Sequence, residues 1–253
     1  MPSARRFARE RLPEKRRGRK IISLMPVYRL TKELIFPPPE NAEPDGLLAV
    51  GGDLSADRLL LAYQTGIFPW FNEGLPILWW SPDPRLVLKP EDFHLSRRLA
   101  QTLKQGRFKT TFDVAFPAVI LACATVPRQG QDGTWITPAM RRAYTRLHEL
   151  GYAHSVESWL DGNLVGGIYG VSLGKCFFGE SMFSYETNAS KAAIAALVER
   201  LKQWDFRMLD AQVTTRHLLS LGAKEVTRKT FLKDLDEALE FPTKRGLWNV
   251  ESG

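Results

Sequence analysis

Asp210 and Gln212 are spaced to serve an amine. Residues 208–212 (MLDAQ) read as a short strand, and alternation along it puts positions 210 and 212 on one face. A glutamine carbonyl accepts a hydrogen bond from an attacking amine. A carboxylate beside it orients the amide and favours positive charge developing on nitrogen. The other role open to Asp210 is to cap the helix that starts near Thr214. Glu180 sits among Cys176, Phe177, Phe178, Met182 and Phe183. A carboxylate there is costly to bury unless paired, so it either holds a ligand group or occupies the solvent face of its strand. Histidines 94, 148, 154 and 217 are scattered, and Cys123 and Cys176 lie far apart in the chain. No spacing suggests zinc, a disulfide framework or a Ser/His/Asp or Cys/His nucleophile. The expected chemistry is the positioning of two reactants, with no covalent intermediate and no cofactor or metal.

The elements that must hold these residues are legible in outline. Residues 46–53 read as a short apolar strand ending in a glycine turn. Ser55 caps a helix that runs to about Tyr63 and closes at Gly66. A proline- and tryptophan-rich stretch, residues 66–85, reads as loops and short strands. Ser96 caps a helix to about Gln105, and Asp113 opens another over 115–124. Thr137-Pro138 is an N-cap and first-turn pair for a helix ending at Gly151. Strands follow at 153–160, 164–172 and 176–183, then an amphipathic helix at 189–204, the strand 208–212, and helices at 215–221 and 231–239. The expected class is α/β (α+β). The glycines of 166–170 (GGIYG) lie inside a strand and do not open a helix, so they read as places of close backbone approach.

Composition narrows the classes. Hydrophobic residues make up 44% and charged residues 25% of 253, as in globular proteins, and no apolar run is long enough to span a bilayer. No secretory signal is legible, so the expected location is the cytoplasm. The net charge of +7 is unevenly placed. Of 35 Lys/Arg and 28 Asp/Glu, nine and two fall in residues 1–24, leaving 26 of each in the rest. That basic tail is expected to stay disordered, and Met25 stands as an alternative initiation point. An RNA site on the neutral body must come from clustered charges.

Eight segments carry a resemblance: 46–54 (GLLAVGGDL), 62–70 (AYQTGIFPW), 79–85 (WWSPDPR), 133–137 (GTWIT), 153–157 (AHSVE), 165–171 (VGGIYGV), 178–184 (FGESMFS) and 188–191 (NASK). In that order they resemble the leucyl/phenylalanyl-tRNA–protein transferase family over roughly residues 25 to 240. The element order strand, strand, strand, helix, strand, helix is that of a GNAT-type acyltransferase half, so a GNAT-like domain is expected over 91–245 and a smaller N-terminal domain over 25–90. The resemblance implies transfer of Leu, Phe or Met from aminoacyl-tRNA to the α-amine of proteins beginning with Arg or Lys, marking them for degradation. Asp210 and Gln212 become catalytic, with Asp210 the electrostatic driver. Glu180 holds the aminoacyl ammonium or a ribose hydroxyl. Trp70, Trp135, Tyr63 and Tyr144 are aromatic positions near the tRNA terminus. Ile168, Phe177, Met182 and Leu209 build the apolar pocket, and Ser181 joins the substrate-binding set. Arg85, Arg97 and Arg98 are candidates for tRNA contacts. The protein is expected to be a monomer.

Two other readings are weighed. A GNAT enzyme using acyl-coenzyme A holds pyrophosphate at a glycine-rich helix start, but residues 185–191 (YETNASK) have no glycine and carry Glu186. A non-catalytic module binding tRNA or protein N-termini would keep Asp210 and Gln212 yet not turn over. The tail generates a test. Because the resemblance begins after Met25, deleting residues 1–24 should leave folding and turnover intact and weaken tRNA binding only at low salt, since flexible cations act through screened attraction. A salt series of tRNA binding and transfer rates checks this; loss of transfer at saturating tRNA would place the tail in the active site.

Overall fold

The computed structural model describes residues 27–127 and 134–249. The tail 1–24, Gly133 and the side chain of Arg98 lie outside the described residues. The chain opens with β1 (Tyr28–Leu30), β2 (Leu47–Gly51), α1 (Ala56–Gln64), β3 (Phe68–Pro69) and β4 (Leu78–Trp80). These strands form a small mixed sheet in the order β1-β2-β4-β3, with β1 and β2 parallel. Ser55 caps α1, accepting from Arg58 N, and Gly66 turns the chain out with φ 73°.

Next come β5 (Arg85–Leu88), α2 (Arg97–Lys104), β6 (Lys109–Phe112), α3 (Phe116–Thr125), α4 (Pro138–Glu149), β7 (Ala153–Leu160), β8 (Asn163–Leu173) and β9 (Cys176–Ser184). The chain continues through α5 (Ala189–Gln203), β10 (Met208–Gln212), α6 (Arg216–Leu219), β11 (Lys224–Val226) and α7 (Arg228–Leu239). The larger sheet has seven strands in the order β11-β5-β10-β9-β8-β7-β6. Its neighbours are antiparallel except β9 and β10. The molecule is therefore mixed α/β, with two mixed sheets. β5 comes from the interval 25–90 but belongs to the larger sheet, and one continuous core joins Leu48 and Trp79 to Tyr144, Phe178 and Phe231. On the opposite face of the larger sheet, α5 lays Ile194, Leu197 and Leu201 against Leu86, Ile168, Phe177 and Leu209.

The Thr137 cap forms as expected, its hydroxyl accepting from Met140 N. Asp113 does not open α3. It takes φ 56°, is buried, and accepts from Ser155 N and His154, while α3 begins at Phe116 behind Ala115. The carboxylate is drawn to a buried imidazole and amide, stronger partners than a helix end in water.

The glycines of β8 work as close contacts. A Cβ on Gly166 would fall 2.5 Å from Ala189 Cβ, where α5 begins. On Gly170 it would fall 2.2 Å from Phe178 O and 2.5 Å from the Phe177 ring. Neither backbone nor buried ring can retreat cheaply. Gly170→Ala should therefore cost roughly 1–3 kcal/mol or more of stability, read as a lowered urea midpoint at constant m; an unchanged midpoint would show that β8 and β9 separate freely.

Candidate active site

Two β-bulges shape the site. Across β8 and β9, Tyr169 pairs with Ser181 and Gly170 with Gly179, leaving Glu180 as the extra residue. Side-chain parity inverts there: Cys176 and Phe178 share a core with Phe183, while Phe177 shares the other with Met182. Across β10 and β5, Asp210 pairs with Val87 and Gln212 with Leu86, leaving Ala211 extra and Gln212 at φ 60°. Bulges of this kind re-aim side chains. They bring Gln212 to Glu180, with Gln212 Nε2 donating to Glu180 Oε1 at 2.9 Å.

Glu180 is 6% exposed, which excludes a solvent-facing role. Its Oε1 also accepts from Tyr63 OH at 2.7 Å, and its Oε2 accepts from Tyr144 OH at 3.0 Å. The two phenolic oxygens also approach each other, so their two protons are shared among three contacts. Both rings are fully buried, so Tyr63 and Tyr144 are not faces on which an adenine stacks; they hold the carboxylate. Burial lifts the Glu180 pKa to about 7 against the pull of these three donors, and Asp210 adds to the rise. Burial, then the Glu180 charge, keeps both phenols well above their usual range, so they remain donors.

Asp210 is fully buried and does not orient the Gln212 amide; Glu180 does. Asp210 instead takes two hydrogen bonds from Arg85, Nε to Oδ1 at 2.9 Å and Nη2 to Oδ2 at 2.7 Å. Its Oδ1 also accepts Gln212 N at 2.9 Å, which holds Gln212 in its left-handed conformation. Arg85 is no tRNA contact. It is fully buried, donates to Gly66 O at 3.1 Å, and lies over the rings of Phe68 and Phe231. A lone cation in the apolar strand 85–88 (RLVL) was the available signal, since such a charge needs a buried partner. Arg97 stays exposed on α2.

A pocket opens where the parallel pair parts. β10 follows β9 only from Met208–Cys176 to Asp210–Phe178; beyond that, β9 stays with β8 and β10 with β5. Gly179, Glu180, Ser181 and Met182 line one side, and Ala211, Gln212 and Val213 the other. Ile168, Leu209 and Ile194 form an apolar wall, and Trp70 and Trp135 stand among the lining residues. Phe177 is not in the lining. It pairs with Leu209 across the strands and shares a core with it. Thr215 and His217 also line the pocket, unforeseen because the expected helix at 215–221 did not itself show which of its residues face β10.

The raised pKa of Glu180 gives a signed prediction. The folded protein binds a proton on Glu180 more tightly than the unfolded chain, so this contribution is full below about pH 4.5 and lost as pH rises through about 7. The stability of Glu180→Gln relative to wild type should therefore climb between those limits by roughly 3 kcal/mol. Denaturant unfolding at intervals of pH measures it, and a constant difference would remove the carboxylate's burial as the cause.

Comparison with known proteins follows the same residues. The family described as "Leucyl/phenylalanyl-tRNA protein transferase" matches residues 87–236, and its N-terminal domain matches residues 52–83. The leucyl/phenylalanyl-tRNA–protein transferase of Desulfatibacillum aliphaticivorans is 59% identical over 228 residues, covering 90% of this chain and 98% of that one. That of Anaeromyxobacter sp. (strain Fw109-5) is 57% identical over 229 residues, covering 90% and 97%. Among solved structures, L-PGS from Bacillus licheniformis gives a TM-score of 0.38 at 9% identity over 66% of this chain and 53% of that one, too distant to assign a fold. Glu180, Asp210, Gln212 and the pocket wall all lie within the matched span, and the chain belongs to the leucyl/phenylalanyl-tRNA protein transferase family.

Proposed function

We propose that the pocket between β9 and β10 accepts the leucyl, phenylalanyl or methionyl end of charged tRNA and passes it to the α-amine of a protein beginning with Arg or Lys. Membership of the family makes the chain an aminoacyltransferase acting on aminoacyl-tRNA and protein. The observation that carries the residue assignment is the Gln212 amide. Its Nε2 is spent on Glu180 in a pocket walled by Ile168, Met182 and Leu209, leaving the carbonyl end to accept a hydrogen bond.

The reaction needs little beyond that. A neutral α-amine attacks the ester carbonyl carbon, the C–N bond forms, and the bond to the ribose oxygen breaks. The proton lost by nitrogen ends on that oxygen. An N-terminal amine has a pKa of about 7.7–8.0, so part of it is already nucleophilic. Gln212 touches the amine and orients it. Glu180 fixes the amide and supplies negative charge beside the nitrogen as it becomes positive. Asp210 is a positioning residue that acts through Gln212. Trp70 and Trp135 offer faces for the terminal adenine, and exposed Arg97 fits a phosphate contact. The seven-stranded unit with its parting parallel pair supports a GNAT-like reading of residues 91–245, with β5 recruited from the smaller N-terminal part. The cytoplasm, where charged tRNA is available, is the proposed location.

Purified protein, labelled Leu-tRNA and a peptide starting with Arg provide the test: label should move to the peptide. Gln212→Ala and Asp210→Ala should lower kcat about 10²–10⁴-fold with little change in charged-tRNA binding. Val and Ile donors should transfer poorly, because branching at Cβ meets the pocket wall. Near-normal turnover in both variants, or equal transfer of Val and Leu, would refute the assignment.

A further inference from the structure

We propose that Trp248 is a specificity-determining residue that sets the depth of the donor pocket from behind, through Phe177; this rests on reading that pocket as the aminoacyl site. After α7 the chain crosses back as a strap. Thr243 Oγ1 accepts from Gly174 N at 2.9 Å, Arg245 Nη2 donates to Leu150 O at 3.1 Å, and Gly246 N donates to Gly151 O at 3.2 Å. The strap delivers Trp248 into the protein, where it is 3% exposed.

Trp248 is held at every polar atom. Its backbone N donates to Asp113 Oδ2 at 2.7 Å, its carbonyl accepts from Arg200 Nη1 at 3.1 Å, and its Nε1 donates to Lys244 O at 3.2 Å. The buried Asp113 carboxylate thus reads one particular amide of the strap while also holding His154 and Ser155. The indole stacks on His154 at 3.9 Å and 11°, and meets Trp204 edge-on at 5.0 Å. Its other aromatic contacts among the described residues are Phe206 at 6.1 Å and Phe177 at 5.7 Å.

Phe177 connects this cage to the site. It is the direct strand partner of Leu209, which lines the pocket, and both share one core with Ile168, Ile194 and Trp248. Close-packed interiors transmit a change of volume instead of absorbing it. A smaller side chain at 248 lets Phe177 and then Leu209 retreat, deepening the pocket without touching Glu180, Asp210 or Gln212.

The experiment compares kcat/KM for Leu-, Phe- and Trp-charged tRNA with an Arg-initiated peptide, using full-length wild type, Trp248→Leu and Trp248→Phe, with thermal melts as the folding control. The ratio of Trp donor to Leu donor should rise roughly tenfold in Trp248→Leu, the low end for a methylene-sized change in an apolar pocket, and stay within about threefold of wild type in Trp248→Phe, which keeps a ring on His154. A folded Trp248→Leu with an unchanged ratio, or with equal loss for every donor, overturns the inference. Should Trp248→Leu not fold, Trp248→Met is read in its place with the same expected rise. Wild type that transfers no donor at all refutes the pocket's function itself, a result separable from an unchanged ratio.

Discussion

Arg85 and Asp210 meet through two parallel hydrogen bonds with neither side chain open to water. Either charge alone in that interior would cost several kcal/mol. The pair is tolerable because the rest of each group is also satisfied: Arg85 donates to Gly66 O and lies over two aromatic rings, and Asp210 accepts the Gln212 backbone N–H. A buried ion pair is poor evidence for net stability. Its value here is geometric. One guanidinium ties β5, the turn after α1 and α7 to β10, and the carboxylate it holds sets the backbone of Gln212. The Gln212 side chain that lines the pocket is thus referenced to both sheets at once.

Around that anchor the polarity is sharply divided. Glu180 is surrounded by donors that cannot ionise at neutral pH, two phenols and an amide, so its charge is stabilised by dipoles and not by a cation. Arg85 is committed to Asp210, which keeps the two carboxylates electrically distinct: one compensated, one poised near neutrality. The pocket wall beside them is aliphatic. An apolar side chain and a developing positive charge can therefore be accommodated side by side, which is what aminolysis of a leucyl or phenylalanyl ester asks of a protein surface.

The long elements were legible because their periods are long enough to read. β7, β8, β9, α4 and α5 stand within one or two residues of expectation. Four short strands, β1, β5, β6 and β11, passed unread, and β3 and β4 were read only as unplaced short strands within 66–85, since two to four residues carry no period. Many of the residues named from the sequence gather around one pocket, but their relations were not legible. Strict alternation put Asp210 and Gln212 on one face, and the bulge at Ala211 separates their tasks. Glu180 looked equally suited to solvent because its partners Tyr63 and Tyr144 lie 117 and 36 positions away. Arg85 misled for the same reason: an arginine's partner 125 residues distant is invisible to local reading.

The bulge at Glu180 also makes β9 a strand in two frames. Residues before it place Phe178 on the face of α3 and α4; residues after it place Phe183 there, one count out of step. Removing one residue between Phe178 and Phe183 would restore the regular pleat with both rings still on one face, but it would abolish the bulge that aims Glu180 at Gln212. Substitution can tune the pocket, but change of length cannot, so the spacing between Phe178 and Phe183 acts as a ruler in which the buried carboxylate is the extra mark.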